Sequence, residues 1–364
     1  METTVAKVNA VTIPRWFDRH LHVRDVDMLR NVLPCTLNQR AIGAVIMGNL
    51  KHPDETSTIE KAKGYRWRIR AMLGILQTFG VTTNKDFEPR MTCYLTDEIT
   101  PEEVVRGFKE GVWCGVKLYM ADQRGLGGTT NSGHGVKNLL GRYPVFEAME
   151  REGIPLLGHF EAVEPEVDEF DREIVSVERD LDPLLNSFPG LPVVFEHITD
   201  GRAAAFVAEV KHNIQATVTA HHLMINRNEM FRNGMNPVHF CKPVPKREMY
   251  RLKVREYVTS GHRRFGAGTD SAPHDESAKM RCYGCAAGIF TAPTAVELYT
   301  TVFDEDGALE HLGPFLSENF LGLYGVKVSK ETMTIERKPL AVPQKIGNVQ
   351  VFRGGTELPW TLVG

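Results

Sequence analysis

The sequence is poor in cysteine and contains no long hydrophobic run. Six cysteines among 364 residues are too few for a disulfide framework, so we expect free thiols in a reducing compartment. No stretch of about 18 apolar residues occurs, and the first residues lack the apolar centre of a signal peptide. Because the net charge is only −3, nothing favours nucleic acid or an anionic membrane as a partner. We therefore expect a cytoplasmic enzyme with a small-molecule substrate.

Short apolar segments alternate with segments of helical spacing along most of the chain. Eight strand-like segments lie at residues 15–22, 41–47, 90–95, 112–119, 154–159, 191–197, 214–219 and 264–270. Strands that alternate with helices pair in parallel, and closure into a barrel removes the exposed edges of the sheet. The pattern predicts an α/β fold, a (β/α)8 TIM barrel over residues 13–325, with residues 326–364 as a C-terminal extension packed on it.

Polar residues stand at or near the carboxyl ends of five of these predicted strands. They are His20, His22, Lys117, His159, His197 and Asp270. His20 and His22 alternate along an extended segment and so share one face, although an isolated H-x-H is more often a pair of surface or core histidines. In a barrel the carboxyl ends of all strands meet at one mouth, where catalytic residues lie. The joint placement of the six residues predicts one site.

The predicted site has the chemistry of metal-assisted hydrolysis. Four histidines and an aspartate supply nitrogen and oxygen ligands that suit zinc, although other divalent ions also accept them. Lys117 needs a separate explanation, because an ammonium group repels cations. A desolvated lysine favours its neutral amine, which can react with carbon dioxide to give an anionic carbamate that bridges two metals. The alternative is that Lys117 forms a salt bridge at the barrel mouth.

The motifs around these residues resemble the dihydroorotases of the amidohydrolase superfamily, in the shorter single-function class of enteric bacteria and fungi. The motifs are H-L-H-V-R-D, V-K-L-Y, T-T-N-S-G-H-G-V, P-L-L-G-H-F-E, V-F-E-H-I-T and G-T-D-S-A-P-H. The resemblance implies reversible hydrolysis of the cyclic amide of L-dihydroorotate to N-carbamoyl-L-aspartate, a step of pyrimidine biosynthesis. We also expect a homodimer.

The resemblance also implies roles for single residues. The ligands of two Zn²⁺ ions would be His20, His22 and Asp270 for one, His159 and His197 for the other, and carbamylated Lys117 for both. Asp270 would also act as the general acid and base. The substrate contacts would come from Arg24, Asn49, Thr129, Thr130, Leu223, His274 and Ala286. Arg24 could instead pair with Asp25 or Asp27 on a solvated face.

Three segments depart from the family pattern near the predicted mouth. The sequence has Met47-Gly48-Asn49 in place of M-P-N, and Phe160 in place of the glycine of H-G-E. The loop over residues 120–133 is longer than usual and rich in glycine, so we expect a mobile lid whose two threonines close over the substrate, unless it is only a surface insertion. These departures leave open a paralogous hydrolase of another cyclic amide, imide or lactone. A catalytically inactive scaffold is a third alternative.

Overall fold

The computed structural model describes residues 8–51, 53–121 and 134–363. Its strands are β1 (Ala10–Pro14), β2 (Asp18–Leu21), β3 (Gly43–Ile46), β4 (Glu88–Met91), β5 (Cys93–Tyr94), β6 (Val116–Tyr119), β7 (Leu156–His159), β8 (Val193–Phe195), β9 (Ile214–Val218), β10 (Phe265–Ala267), β11 (Thr332–Glu336), β12 (Leu340–Ala341), β13 (Lys345–Ile346), β14 (Val349–Gln350), β15 (Glu357–Leu358) and β16 (Thr361–Val363).

The α-helices alternate with the strands over most of the chain. They are α1 (Val26–Asn38), α2 (Ile59–Thr78), α3 (Pro101–Lys109), α4 (Tyr143–Glu152), α5 (Arg172–Ser176), α6 (Asp182–Ser187), α7 (Gly201–Glu209), α8 (Ala220–Met224), α9 (Glu248–Thr259), α10 (Glu276–Lys279), α11 (Ala295–Glu305) and α12 (Leu312–Ser317). In the described part of the chain, no helix is long and apolar enough to cross a membrane.

Strands β2 to β10 form two parallel sheets. One sheet has the order β2-β3-β4 and the other the order β5-β6-β7-β8-β9-β10. Each of the eight predicted segments contains or overlaps a strand, but the third is split, because β4 pairs with β3 whereas β5 pairs with β6. The prediction of an α/β fold with parallel strands is confirmed. Closure into one eight-stranded barrel stays a prediction.

The helix starts follow from side chains that bond to free backbone N–H groups. Thr100 caps α3, where its hydroxyl accepts a bond from the backbone N–H of Glu103 at 3.2 Å, and Pro101 stands in the first turn. Asp200 caps α7 in the same way, through the N–H of Arg202. Both helices follow a strand of the parallel sheet.

The two ends of the described chain lie in one antiparallel sheet. Strand β1 pairs with β11, which pairs with β16. The C-terminal segment also contacts α11, because Arg337 forms an ion pair with Asp304 at 2.6 Å and the indole of Trp360 donates to the same carboxylate. The division at residues 13–325 and 326–364 stays a prediction; strand β1 begins before residue 13 and pairs with the C-terminal segment.

Candidate metal centre and active site

Two histidines and one aspartate meet where β2 ends and β10 is followed by a short turn. The Nε2 atoms of His20 and His22 lie 3.4 Å apart, and Oδ1 of Asp270 lies 3.4 Å from the first and 3.0 Å from the second. All three side chains are buried. We call these residues the carboxylate cluster. Their ligand atoms lie within 4.8 Å of one another, so a single ion could contact all three.

The backbone around the carboxylate cluster is held by hydrogen bonds. Asp18, fully buried on β2, accepts bonds from the N–H and hydroxyl of Thr269 and from the N–H of His20. The N–H of Asp270 donates to the carbonyl of His20 at 2.9 Å. Asp270 itself has φ 41°, which is uncommon for a residue other than glycine. These bonds fix a strained turn that directs the carboxylate toward the histidines.

A second pair of histidines packs beside the carboxylate cluster. The ring centroids of His159 and His197 lie 4.5 Å apart, and the ring of His197 lies 5.0 Å from that of His20. The Nδ1 atoms of His159 and His197 are buried and have no hydrogen-bond partner in the described parts of the chain. Unpaired buried nitrogens are costly, and lone pairs free in this way suit a bound cation. The pair therefore fits a second ion beside the first.

Lys117 on β6 is buried close to both groups of histidines. Its Nζ has no hydrogen-bond partner among the residues that the structure describes, and it lies 4.8 Å from the ring centroid of Tyr119. Burial lowers the pKa of Lys117 to about 8, so its neutral amine is accessible. The alternative of a salt-bridging lysine has no support in the described residues. The environment instead fits the chemistry that carbamylation requires.

Two buried carboxylates bond to ring nitrogens of the histidines. Sequence reasoning missed both. Glu196 forms a short hydrogen bond with Nδ1 of His20 and accepts a bond from the hydroxyl of Thr217 at 2.9 Å. Glu161 lies 2.7 Å from Nε2 of His159. Such partners set which ring nitrogen is free and raise the basicity of a metal-binding histidine. A signal existed, because both glutamates stand within two residues of predicted ligands.

Burial and the nearby carboxylates shift the pKa values of the histidines in opposite directions. Burial lowers the pKa of His20, but the charge of Glu196 and the bond and charge of Asp270 together outweigh it, and the pKa rises above its ordinary value. Burial lowers the pKa of His22 to about 3, so this ring is neutral. Burial raises the pKa of Asp270, but bonds and charge from the two rings hold it well below its usual range. An ionised carboxylate and a neutral imidazole are the forms that bind metals.

The carboxylate cluster opens into a cavity of about 1010 Å³. Arg24, Asn49 and His274 line the same cavity. The guanidinium of Arg24 lies 3.1 Å from Nε2 of His274 and donates to the carbonyl of Pro273. Among the described residues, the side chain of Arg24 contacts Pro273, His22 and His274 and forms no ion pair with Asp25 or Asp27; Asp25 pairs with Arg68 at 2.7 Å. Two side chains that can bind an anion thus face the space above the cluster.

The chain was compared with known proteins. No family model matches the chain. The dihydroorotase of Sphingopyxis alaskensis is 44% identical over 353 residues, which cover 97% of this chain and 99% of that protein. This chain belongs to the dihydroorotase family. Among solved structures, the dihydroorotase of Saccharomyces cerevisiae in complex with 5-fluoroorotic acid is 28% identical with a TM-score of 0.85, covering 98% of this chain and 99% of that one. The dihydroorotase of Campylobacter jejuni is 29% identical with a TM-score of 0.81 over the whole of both chains.

The other predicted substrate contacts of this dihydroorotase either lie away from the described cavity wall or fall outside the described residues. Leu223 is fully buried in α8, and Ala286 is half-buried beside Ala287, which lines the cavity. Neither Leu223 nor Ala286 is among the described residues of the cavity wall, so their roles stay predictions. Thr129 and Thr130, with most of the expected lid, lie outside the described residues.

Two departures from the dihydroorotase pattern have a structural explanation. A Cβ added to Gly48 would lie 1.7 Å from Oγ1 of Thr56, which donates to the carbonyl of Thr92. The Thr56 hydroxyl therefore occupies the space that a proline would need. Phe160 is buried, and its ring lies 5.2 Å from that of Phe195. Phe160 belongs to the core, so the expectation that it alters the substrate pocket has no support from its packing.

Several cavity residues were missed by sequence reasoning. Tyr94, Tyr119, His134 and Lys242 line the cavity together with the predicted residues. Lys242 also pairs with Glu169. Tyr119 and His134 stand within the motifs V-K-L-Y and T-T-N-S-G-H-G-V, but no role was predicted for them. The four residues come from separate segments that only the fold brings together.

Proposed function

We propose that this dihydroorotase interconverts L-dihydroorotate and N-carbamoyl-L-aspartate, as a step of pyrimidine biosynthesis in the cytoplasm, with two zinc ions in the cavity described above. The observation that carries the proposal is the carboxylate cluster beside His159 and His197, with the amine of Lys117 buried near both and without a hydrogen-bond partner among the described residues. This donor set matches the ligands that divalent zinc accepts, and the unpaired buried atoms are explained if ions are bound.

The proposed ligands fall into three groups, according to the ion that each would bind. The carboxylate cluster would hold one ion, His159 and His197 the other, and the carbamate of Lys117 would contact both. When bound, two divalent ions supply a more acidic water and polarise the amide carbonyl. The lowered pKa of Lys117 supports carbamylation, since only the neutral amine attacks carbon dioxide.

We assign the proton transfer to Asp270. Its carboxylate is ionised and lies on the cavity wall, so it can accept a proton from the attacking water. As the new carbon–oxygen bond forms and the ring carbon–nitrogen bond breaks, the same proton passes to the leaving nitrogen. The reverse reaction uses these steps in the opposite order, which requires one group to serve as both base and acid.

Arg24 and His274 are placed to orient the substrate. Dihydroorotate carries a carboxylate, and a guanidinium offers planar donors that fix the direction of such a group as well as its charge. Asn49 lies on the same wall, and its Oδ1 has no hydrogen-bond partner in the described residues. An amide acceptor of this kind is free to bond an N–H group of the ring.

Closure of the barrel is a separate proposal, which rests on the contacts between the edges of the two sheets. We infer that the two parallel sheets close into one (β/α)8 barrel, because β4 and β5 are separated only by Thr92 and because backbone bonds join the other two edges. These bonds run from Asp270 N to His20 O at 2.9 Å and from His22 N to Ser271 O at 3.3 Å. We also propose a homodimer, which sedimentation of the purified chain would test.

The reaction is tested by a substrate panel. Purified enzyme should hydrolyse dihydroorotate with a higher kcat/KM than hydantoins, other cyclic imides or lactones. A higher kcat/KM for one of these compounds would favour the paralogous hydrolase, and no turnover of any compound by metal-loaded protein would favour an inactive scaffold. Metal analysis of the same preparation, purified without chelator, should find at least two divalent ions per chain.

A further inference from the structure

A second group of metal-binding side chains lies outside the site described above. His221 and His222 stand on α8, which follows β9, and Cys241 stands in a later loop. One ligand atom of each lies within 4.8 Å of the others, and all three are buried. We call these residues the thiol cluster. We propose that the thiol cluster binds a transition-metal ion of the zinc class at a third site, separate from the binuclear centre.

The spacing of sulfur and nitrogen in the thiol cluster matches one edge of a tetrahedral site. Sγ of Cys241 lies 3.4 Å from Nε2 of His222, and both atoms are also bonded to the carbonyl oxygen of Pro243, at 3.4 Å and 2.9 Å. An ion with zinc–sulfur and zinc–nitrogen bonds of usual length separates its two ligand atoms by about 3.6 Å. The sulfur and the nitrogen are therefore spaced as two ligands of one ion.

His221 is the second, independent observation. Its ring is fully buried, and neither of its nitrogens has a hydrogen-bond partner in the described parts of the chain. The ring centroid lies 4.3 Å from that of His222. A neutral imidazole has one donor and one acceptor, and leaving both unpaired in the interior costs free energy. An ion bound to Cys241 and His222 would use the acceptor nitrogen of His221 as its third ligand.

The surroundings of His222 also match those of a metal-binding imidazole. Its Nδ1 lies 2.8 Å from the hydroxyl of Thr219, which caps α8 and so has a fixed position. A bond of this kind fixes the ring and leaves Nε2 toward the sulfur. On binding an ion, the thiol of Cys241 would release its proton to solvent. His222 would change tautomer, losing the Nε2 proton that bonds to the Pro243 carbonyl and gaining one on Nδ1, which would donate to Thr219, so that Nε2 is free to bind the metal.

The position of the thiol cluster indicates a structural ion. All of its side chains are buried, and a closed site with cysteine and histidine ligands is typical of structural zinc. The site would join α8 to residues 241–243. Lys242, between the cysteine and the proline, lines the active-site cavity. An ion bound here would therefore hold one wall of the cavity without contacting the substrate.

The experiment uses cobalt as the probe. The full-length enzyme, stripped and reloaded with Co²⁺, should show the near-ultraviolet absorption of a cobalt–thiolate bond. The proposed binuclear centre contains no sulfur, so this band cannot come from it. Cys241→Ser should abolish the band and bind one ion fewer than the parent. The matched control is the double variant Cys282→Ser/Cys285→Ser, which removes the two more exposed thiols and should keep the band.

A second variant tests the site independently of whether Cys241→Ser folds. His221→Gln keeps a polar side chain of similar size, and it should need at least tenfold more cobalt to reach half of the parent's band. The proposal is wrong if the parent shows no thiolate band, if Cys241→Ser keeps it, or if His221→Gln titrates like the parent. Because the readout is the difference in ions between parent and variant, it does not depend on the occupancy of the binuclear centre.

Discussion

The two buried histidine clusters differ in what lies next to the imidazoles. In the carboxylate cluster, His20 and His22 contact Asp270, Glu196 stands behind them, and the cavity opens in front. In the thiol cluster, the neighbours are Cys241 and a backbone carbonyl, and no member lies among the described residues of the cavity wall. An open site with oxygen ligands suits catalysis, whereas a closed site with sulfur suits structure.

The comparison also shows how each cluster compensates its buried polar groups. Around the carboxylate cluster, Asp270 and the glutamates provide negative charge, and Lys117 is held with its amine unpaired. Around the thiol cluster, His222 bonds to the hydroxyl of Thr219 and the carbonyl of Pro243, and His221 has no hydrogen-bond partner among the described residues. Removing an ion should therefore affect chemistry at the first cluster and stability at the second.

The largest expected effect is at Lys117. Lys117→Ala would remove the proposed bridging carbamate, so the variant should lose at least one of the two proposed ions and slow by more than about a thousandfold, the equivalent of several kcal/mol of charge stabilisation. Turnover and metal content are measured together. A short carboxylic acid such as acetate should restore part of the activity by supplying an anion. Full activity in Lys117→Ala would show that this residue has only a structural role. The control is Lys137→Ala, at an exposed lysine, which should keep the parent's activity.

The next effect separates metal binding from proton transfer. Asp270→Asn keeps an oxygen ligand but removes the base, so kcat should fall by about a hundredfold or more while much of the metal remains. Steady-state kinetics on variants of known metal content measures this loss. The control is Asp27→Asn, at an exposed aspartate in the first turn of α1, which should behave like the parent. Near-normal turnover by Asp270→Asn would disprove the assignment of the proton shuttle.

A smaller effect tests the carboxylate behind the histidine. Glu196→Gln keeps the shape of the side chain but removes the charge beside His20, so metal affinity should fall by about 10- to 100-fold. Competition with a chelator of known affinity measures the change. Adding excess zinc should recover most of the turnover, which would not happen if Glu196 took part in the chemistry itself. Unchanged affinity would show that the glutamate does not tune the metal.

The smallest expected effect concerns stability at the thiol cluster. Ligand that binds only the folded state raises the unfolding midpoint, so zinc at a large excess over its dissociation constant should raise the parent's midpoint by a few degrees more than that of Cys241→Ser. Thermal unfolding followed by circular dichroism, with and without zinc, measures the difference. Equal zinc responses in the two proteins would place the whole stabilisation at the carboxylate cluster and remove the contrast between them.

The sequence by itself determined the class of fold and most of the candidate metal centre. The alternation of apolar strands with helical segments is local, so it could be read from the chain without knowing any long-range contact. In parallel sheets the strand ends share one edge, which allowed His20, His159 and Asp270 to be grouped although they are far apart in sequence. Strands β6 and β7, with Lys117 and His159, lie within the predicted segments.

Only the tertiary structure decided which neighbours these residues have. The break between β4 and β5, the burial of Phe160 and the bond from Glu196 to His20 depend on packing between separate elements. The thiol cluster joins a histidine pair to a cysteine 19 residues later by way of a loop, and no helical or strand period predicts that contact. Loop paths are set by the whole set of surrounding contacts, so a local pattern cannot reveal them.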